Sequence, residues 1–150
     1  MTSPLIDHQA LEFFNSLSAT LEIELTESAQ PIGGLLNLAA SPEARIASLR
    51  LNFDVFDDQT ETHRPLTRQE LEMVVIVAPT ITLQGESPKA IEHRAPAGDR
   101  MTVQFLVHAV EDTERLTRGD TNWLGGVDVH HIYFEGIHPK GDLWAIYWGS

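Results

Sequence analysis

Hydrophobic positions change their period several times along this chain, and each change marks an expected element. Ile6, Ala10, Phe13, Phe14 and Leu17 recur at helical spacing. Ser3-Pro4 ahead of them supplies an N-cap and a proline for the first helical position, so the pattern predicts an amphipathic helix over residues 4 to 18. At Thr20 the period drops to two: Leu21, Ile23 and Leu25 alternate with Glu22, Glu24 and Thr26, as in a half-exposed strand. Gln30-Pro31-Ile32-Gly33-Gly34 reads as a turn, followed by a short returning strand at 35 to 38, and Ser41-Pro42-Glu43 opens one helical turn. Leu49, Leu51, Phe53 and Val55 alternate with Arg50, Asn52 and Asp54, which predicts a strand over 48 to 56. Residues 57 to 65 read as a solvated loop. Its acids lack the alternating ligands, central glycine and terminal glutamate of a calcium loop.

The continuous apolar run at 73 to 78 is short and bounded by polar residues and Pro79, as a strand buried on both faces would be. Thr80 to 83 alternates again, as its continuation past a proline-marked bulge. Residues 84 to 100, rich in Gly, Pro, Ser and charge, read as a long loop.

The segment from 101 to 118 fits two periods. Val103, Phe105, Val107 and Ala109 alternate like a strand, while Val103, Leu106, Val107 and Val110 form one helical stripe. Glu111–Arg115 and Glu114–Arg118 decide it, because both are i,i+4 pairs with the acid first. Thr102 stands ready as N-cap and Gly119 follows as the stop, so a helix is predicted over 102 to 118.

Residues 127 to 137 and 142 to 148 read as two strands rich in aromatic and β-branched side chains. A turn at His138-Pro139-Lys140-Gly141 would join them. That turn sets Tyr133 opposite Ile146, His131 opposite Trp148 and Glu135 opposite Trp144 on one face, with Phe134 opposite Ala145 on the other. The elements together predict an α+β fold: one globular domain over 1–150, with a bent antiparallel sheet of five to seven strands and two main helices on it. A small closed β-barrel is the alternative if 101 to 110 were a strand.

Charge narrows the partners. Twenty-two acidic residues stand against 10 basic ones, a formal net charge of -12, so neither nucleic acid nor an anionic membrane surface is an expected partner. There is no cysteine, which removes disulfides, thiolate metal sites and cysteine nucleophiles. The first residues lack a basic segment followed by an apolar one, and no apolar run spans a bilayer, so a soluble cytoplasmic protein is expected.

Candidate chemistry concentrates in the last hairpin. No Gly-x-Ser-x-Gly, Ser-x-x-Lys or phosphate loop occurs. His130 and His131, as strand neighbours, point to opposite faces, and His131 stands roughly 13 Å from Glu135 at ~3.3 Å per strand residue. No metal site and no cofactor are therefore expected, with His63, His93, His108 and His138 left as ordinary polar groups. The expected function is that of an acidic binding protein that engages a protein partner of basic character or assembles with itself, through Tyr133, Trp144, Ile146 and Trp148. The alternative is a small cofactor-independent enzyme of isomerase, hydratase or cyclase type, with a small-molecule ligand in an aromatic pocket. There Glu135, shielded from water beside Trp144, would act as acid or base with His131 and Tyr133.

Overall fold

The computed structural model describes residues 4–26, 46–96, 98–121 and 126–150. The turn and short strand expected at 30 to 38, the helical turn at 41 to 43 and the Ser3 cap lie outside these residues.

The described chain builds two sheets and three α-helices, and no closed barrel forms. The seven-stranded sheet has the order β4-β3-β2-β9-β10-β6-β7. Its strands are β2 (Ser18–Leu25), β3 (Ile46–Asp57), β4 (Thr62–Arg64), β6 (Thr80–Gln84), β7 (Ala90–Arg94), β9 (Tyr133–Lys140) and β10 (Leu143–Gly149). Every neighbouring pair is antiparallel except β10 and β6, where Trp144 faces Leu83 and Ala145 faces Gln84 in parallel. A three-stranded sheet, β1 (Leu5–Ile6), β5 (Val74–Val77) and β8 (Arg100–Thr102), has β5 in the middle. The helices are α1 (His8–Asn15), α2 (Arg68–Leu71) and α3 (Val103–Thr117).

Helix α3 forms where its pattern predicts. Thr102 accepts a hydrogen bond from the Phe105 N–H at 3.1 Å, a cap that contributes about 1 kcal/mol. Val103, Leu106, Val107 and Val110 lie fully inside the core against the inner face of the large sheet. Glu111 accepts from the Leu51 N–H at 2.9 Å and Arg115 donates to the Leu49 carbonyl at 3.4 Å. This ion pair thereby occupies backbone groups of β3, where β4 pairs only with the far end of the strand. Gly119 is not the left-handed stop that was expected. The chain continues into a 3₁₀ turn, Arg118–Asp120, without a positive φ there.

Three expectations are corrected. The first helix starts at His8 with Asp7 as N-cap, its carboxylate accepting from the Ala10 N–H at 3.1 Å. Leu5 and Ile6 ahead of it pair with β5 instead, because an edge of that small sheet satisfies their backbone better than an unsupported turn. Residues 80 to 84 do not continue the strand before Pro79: Pro79 marks the change from the small sheet to the large one. The long loops expected at 57 to 65 and 84 to 100 hold β4 and β7, each returning antiparallel along its predecessor.

The fourth correction governs the site. The last hairpin turns at Gly141-Asp142, not at His138-Pro139-Lys140-Gly141. Gly141 takes the positive φ, +63°, that a two-residue connection demands. Leu143 pairs with Lys140, Trp144 with Pro139 and Ile146 with Ile137. Glu135 and Gly136 then oppose Tyr147 alone, a bulge with Gly136 at φ +100°, beyond which Trp148 pairs with Phe134 and Gly149 with Tyr133. The Asn15 amide at the end of α1 locks the bulge. It accepts from the Ile137 N–H at 2.9 Å and donates to the Ile137 carbonyl at 3.1 Å.

Candidate functional site

The bulge divides the residues singled out by the sequence between two faces. Trp144, Ile146 and Trp148 point inward with Phe134 and Ile137 and are buried. The Phe134 ring meets Trp148 edge-on at 5.7 Å and Phe14 at 5.4 Å. Tyr133 is on the outer face, 51% exposed, and Glu135 is exposed with its carboxylate over Gly149. The expected grouping of Tyr133 and Glu135 with Ile146, Trp144 and Trp148 is therefore undone. One extra residue in β9 moves every later side chain to the other face. His131 precedes β9, and its ring turns back to Asp128, its Nδ1–H donating to Oδ2 at 2.8 Å.

The outer face is built by alternation. Thr20 faces Tyr133, so Glu22 and Glu24 of β2 share the face of Tyr133 and Tyr147. Arg50, Asn52 and Asp54 of β3 and Glu92 and Arg94 of β7 extend it to either side. Tyr147 is 50% exposed, and the His138 ring lies 4.6 Å from it at a shallow angle. No described element packs on this face.

On the inner side, at the carboxyl ends of the parallel strands β6 and β10, lies a polar network that sequence reasoning did not find. Glu114 in the last turn of α3 and Arg118 just past its end, one turn on, are both fully buried and joined Nε to Oε1 at 2.6 Å. The Arg118 guanidinium also donates to the His131 carbonyl at 2.7 Å and the Asp128 carbonyl at 3.3 Å, and lies 5.4 Å from the Trp148 ring. Thr121 accepts from the Asp128 N–H, and Asp128 Oδ1 accepts from the His130 and His131 N–H groups at 2.9 and 3.0 Å. Burial acts to raise the Asp128 pKa. The backbone donors of His131 and His130, the His131 ring and Arg118 outweigh it, so the group is held below its ordinary value. For Glu114 desolvation wins and the pKa is raised, although Arg118 pulls the other way. Glu86, just past β6, is an exposed residue whose carboxyl reaches Asp128 and His131 at the edge of this network, and loss of solvent raises its pKa too.

Gly85 explains how the carboxylates fit. A Cβ there would stand 1.7 Å from Glu114 Oε2, so only glycine lets β6 end against that buried group. An open cleft of about 410 Å³ lies beside it, lined in part by Gly85, Glu86, Lys140 and Tyr147. None of His131, Tyr133 and Glu135 lines this cleft. The signal available in the sequence was the Glu114–Arg118 pair itself; nothing in its spacing distinguishes it from the solvated Glu111–Arg115 pair a few residues earlier. No family model, no curated protein and no solved structure matches the chain. Among the described residues, no helix is long and apolar enough to cross a membrane.

Proposed function

We propose that the protein is an acidic, single-domain, cytoplasmic binding protein that engages a basic protein surface through the outer face of its large sheet. One observation carries the reading: Tyr133 and Tyr147 stand half-exposed on adjacent strands of a face that no described element covers. Tyrosine contributes apolar area with a polar tip and is enriched at protein interfaces. Around the two rings the face carries Glu22, Glu24, Asp54, Glu92 and Glu135 against Arg50, Arg94 and Lys140. Arg50 is already paired with Glu22 at 3.0 Å. With the chain at -12 overall, that excess attracts a basic partner and repels a second copy of the same face. The enzyme reading with Glu135, His131 and Tyr133 has weaker support, since Glu135 and Tyr133 are open to water and His131 turns to Asp128.

The test is a double substitution, Tyr133→Ala with Tyr147→Ala, compared with wild type in cross-linking from native extract and in sedimentation. Both rings are on the surface, so the melting temperature should stay within a few degrees. The expected result is a basic partner cross-linked by the wild type at low salt, released as salt rises, and lost in the variant. A partner captured equally by the variant would overturn the proposal. So would a wild-type protein that sediments as a dimer dissociated by the same two changes.

A further inference from the structure

Strand β7 (Ala90–Arg94) ends the large sheet, and among the described residues β6 is its only neighbouring strand. One bond assigns the direction of its backbone groups. The Ala95 N–H donates to the Pro79 carbonyl at 2.9 Å, in register with the pairing of Ile81 with His93 and Leu83 with Ile91. Antiparallel alternation therefore turns the backbone of Ile91 and His93 toward β6, and that of Ala90, Glu92 and Arg94 toward the open side. On β3 such outward groups are occupied, Leu51 by Glu111 and Leu49 by Arg115. Among the described residues no side chain does this for β7, so its edge is unguarded.

The charges on this edge are self-complementary. Glu92 and Arg94 share the outer face, both are exposed, and neither has an ion-pair partner among the described residues. Two copies of β7 related by a two-fold axis can ladder only if outward groups oppose outward groups. Centring the axis on Glu92 sets that carboxylate against its own copy, and centring it on Arg94 does the same for the guanidinium. Centring it on His93 sets Glu92 opposite Arg94 of the second copy, twice over. Both residues turn their backbone to the open side, so each such pair exchanges backbone hydrogen bonds as well as charge. The inner face fits the same register. Ile91, half-buried, then meets the small Ala95 of the second copy. Each His93 ring is held by its own Thr113 at 2.7 Å, and burial lowers its pKa, so the two rings meet uncharged.

We propose that the protein forms a two-fold dimer by pairing β7 with β7 of a second copy, edge to edge, with His93 opposite His93. The pairing lays the two acidic outer faces side by side and not against one another. Only two short strands make the contact, so the dimer is weak and forms as concentration rises.

The experiment is sedimentation of the full chain over a concentration series from roughly 10 μM to 1 mM. The expected result is a monomer–dimer equilibrium in the wild type. Glu92→Arg alone and Arg94→Glu alone should each weaken it by about tenfold, since each opposes like charges twice. An equimolar mixture of those two variants, or one chain carrying both changes, should restore it. Both residues are on the surface, so the melting temperatures of the variants should match that of the wild type. The chain has no cysteine, which makes a single introduced thiol a clean reporter of register. Under mild oxidation His93→Cys should give a disulfide-linked dimer, and Glu92→Cys much less of one. A wild type that stays monomeric throughout, single reversals without effect, or a mixture that fails to restore the dimer would overturn the proposal. So would Glu92→Cys cross-linking as fully as His93→Cys, or a dimer dissolved by Tyr133→Ala with Tyr147→Ala.

Discussion

Gly85→Ala is the sharpest probe of the buried network, because its cost follows from one distance. The new methyl would stand 1.7 Å from Glu114 Oε2 and 2.8 Å from the carboxyl carbon, where non-bonded heavy atoms need about 3.5 Å. A carboxylate on the surface would swing away. This one is fully buried and tied to Arg118 at 2.6 Å, so relief requires breaking the pair or moving the end of β6. Breaking a buried pair costs about 3–5 kcal/mol, and overpacking that the backbone absorbs costs about 1–3 kcal/mol. We expect a loss of about 3 kcal/mol or more. For a domain of this size that is a fall of roughly 6–12 °C in melting temperature, at roughly 2–4 °C per kcal/mol. The assay is thermal melting by circular dichroism with a urea titration beside it. Gly119→Ala is the control: nothing lies within 4 Å of its Cβ, and its change should stay within about 0.5 kcal/mol. A Gly85→Ala protein that melts like wild type would show that Glu114 is not pinned against β6, and the account of the network would fall.

Two further outcomes follow from local geometry. Asn15→Ala should cost about 2–3 kcal/mol in urea titration, since it leaves the N–H and carbonyl of the fully buried Ile137 without their partner; a neutral effect would mean the bulge does not need its lock. Glu70→Gln tests a pH dependence. The bidentate Arg64 contact, helped by Thr67, holds the Glu70 pKa down from 4.5 to about 2, so its stabilisation is complete above the unfolded value and is lost as pH falls toward 2. The melting gap between wild type and Glu70→Gln, about 1 kcal/mol at pH 7, should close across that window, and a gap independent of pH would refute the assignment.

What the sequence revealed was what local chemistry decides. Helix α3 announced itself because cap, stripe and acid-before-base pairs all lie within its own residues. The alternation of β2 and β3 was equally plain, since neither depends on distant partners. The last hairpin was misread at two points of backbone geometry. Pro139 suggests a turn, yet β9 accommodates it, and Gly141 supplies the positive φ two residues later. The bulge at Gly136 then reverses the faces, and its φ of +100° together with its contact with Asn15, far away in sequence, makes a glycine necessary there. The buried polar network was hidden for the same reason. Glu86 and Asp128 are ordinary loop acids until β6 and the end of α3 bring their loops together.

The sheet order has a consequence for how the chain reaches this structure. β9 and β10, the last strands in sequence, occupy the middle of the large sheet, between the unit of β2, β3 and β4 and the β6–β7 hairpin. Until they arrive, β2 and β6 each present an open edge to solvent, and the two halves meet only through packing on α3, without strand pairing between them. Residues 83 and 144 must find each other across a long loop, a slow search that burdens folding more than final stability. A nascent chain therefore remains two exposed half-sheets until its closing hairpin is free to insert between them. In that interval, chaperone capture and aggregation compete for the same edges.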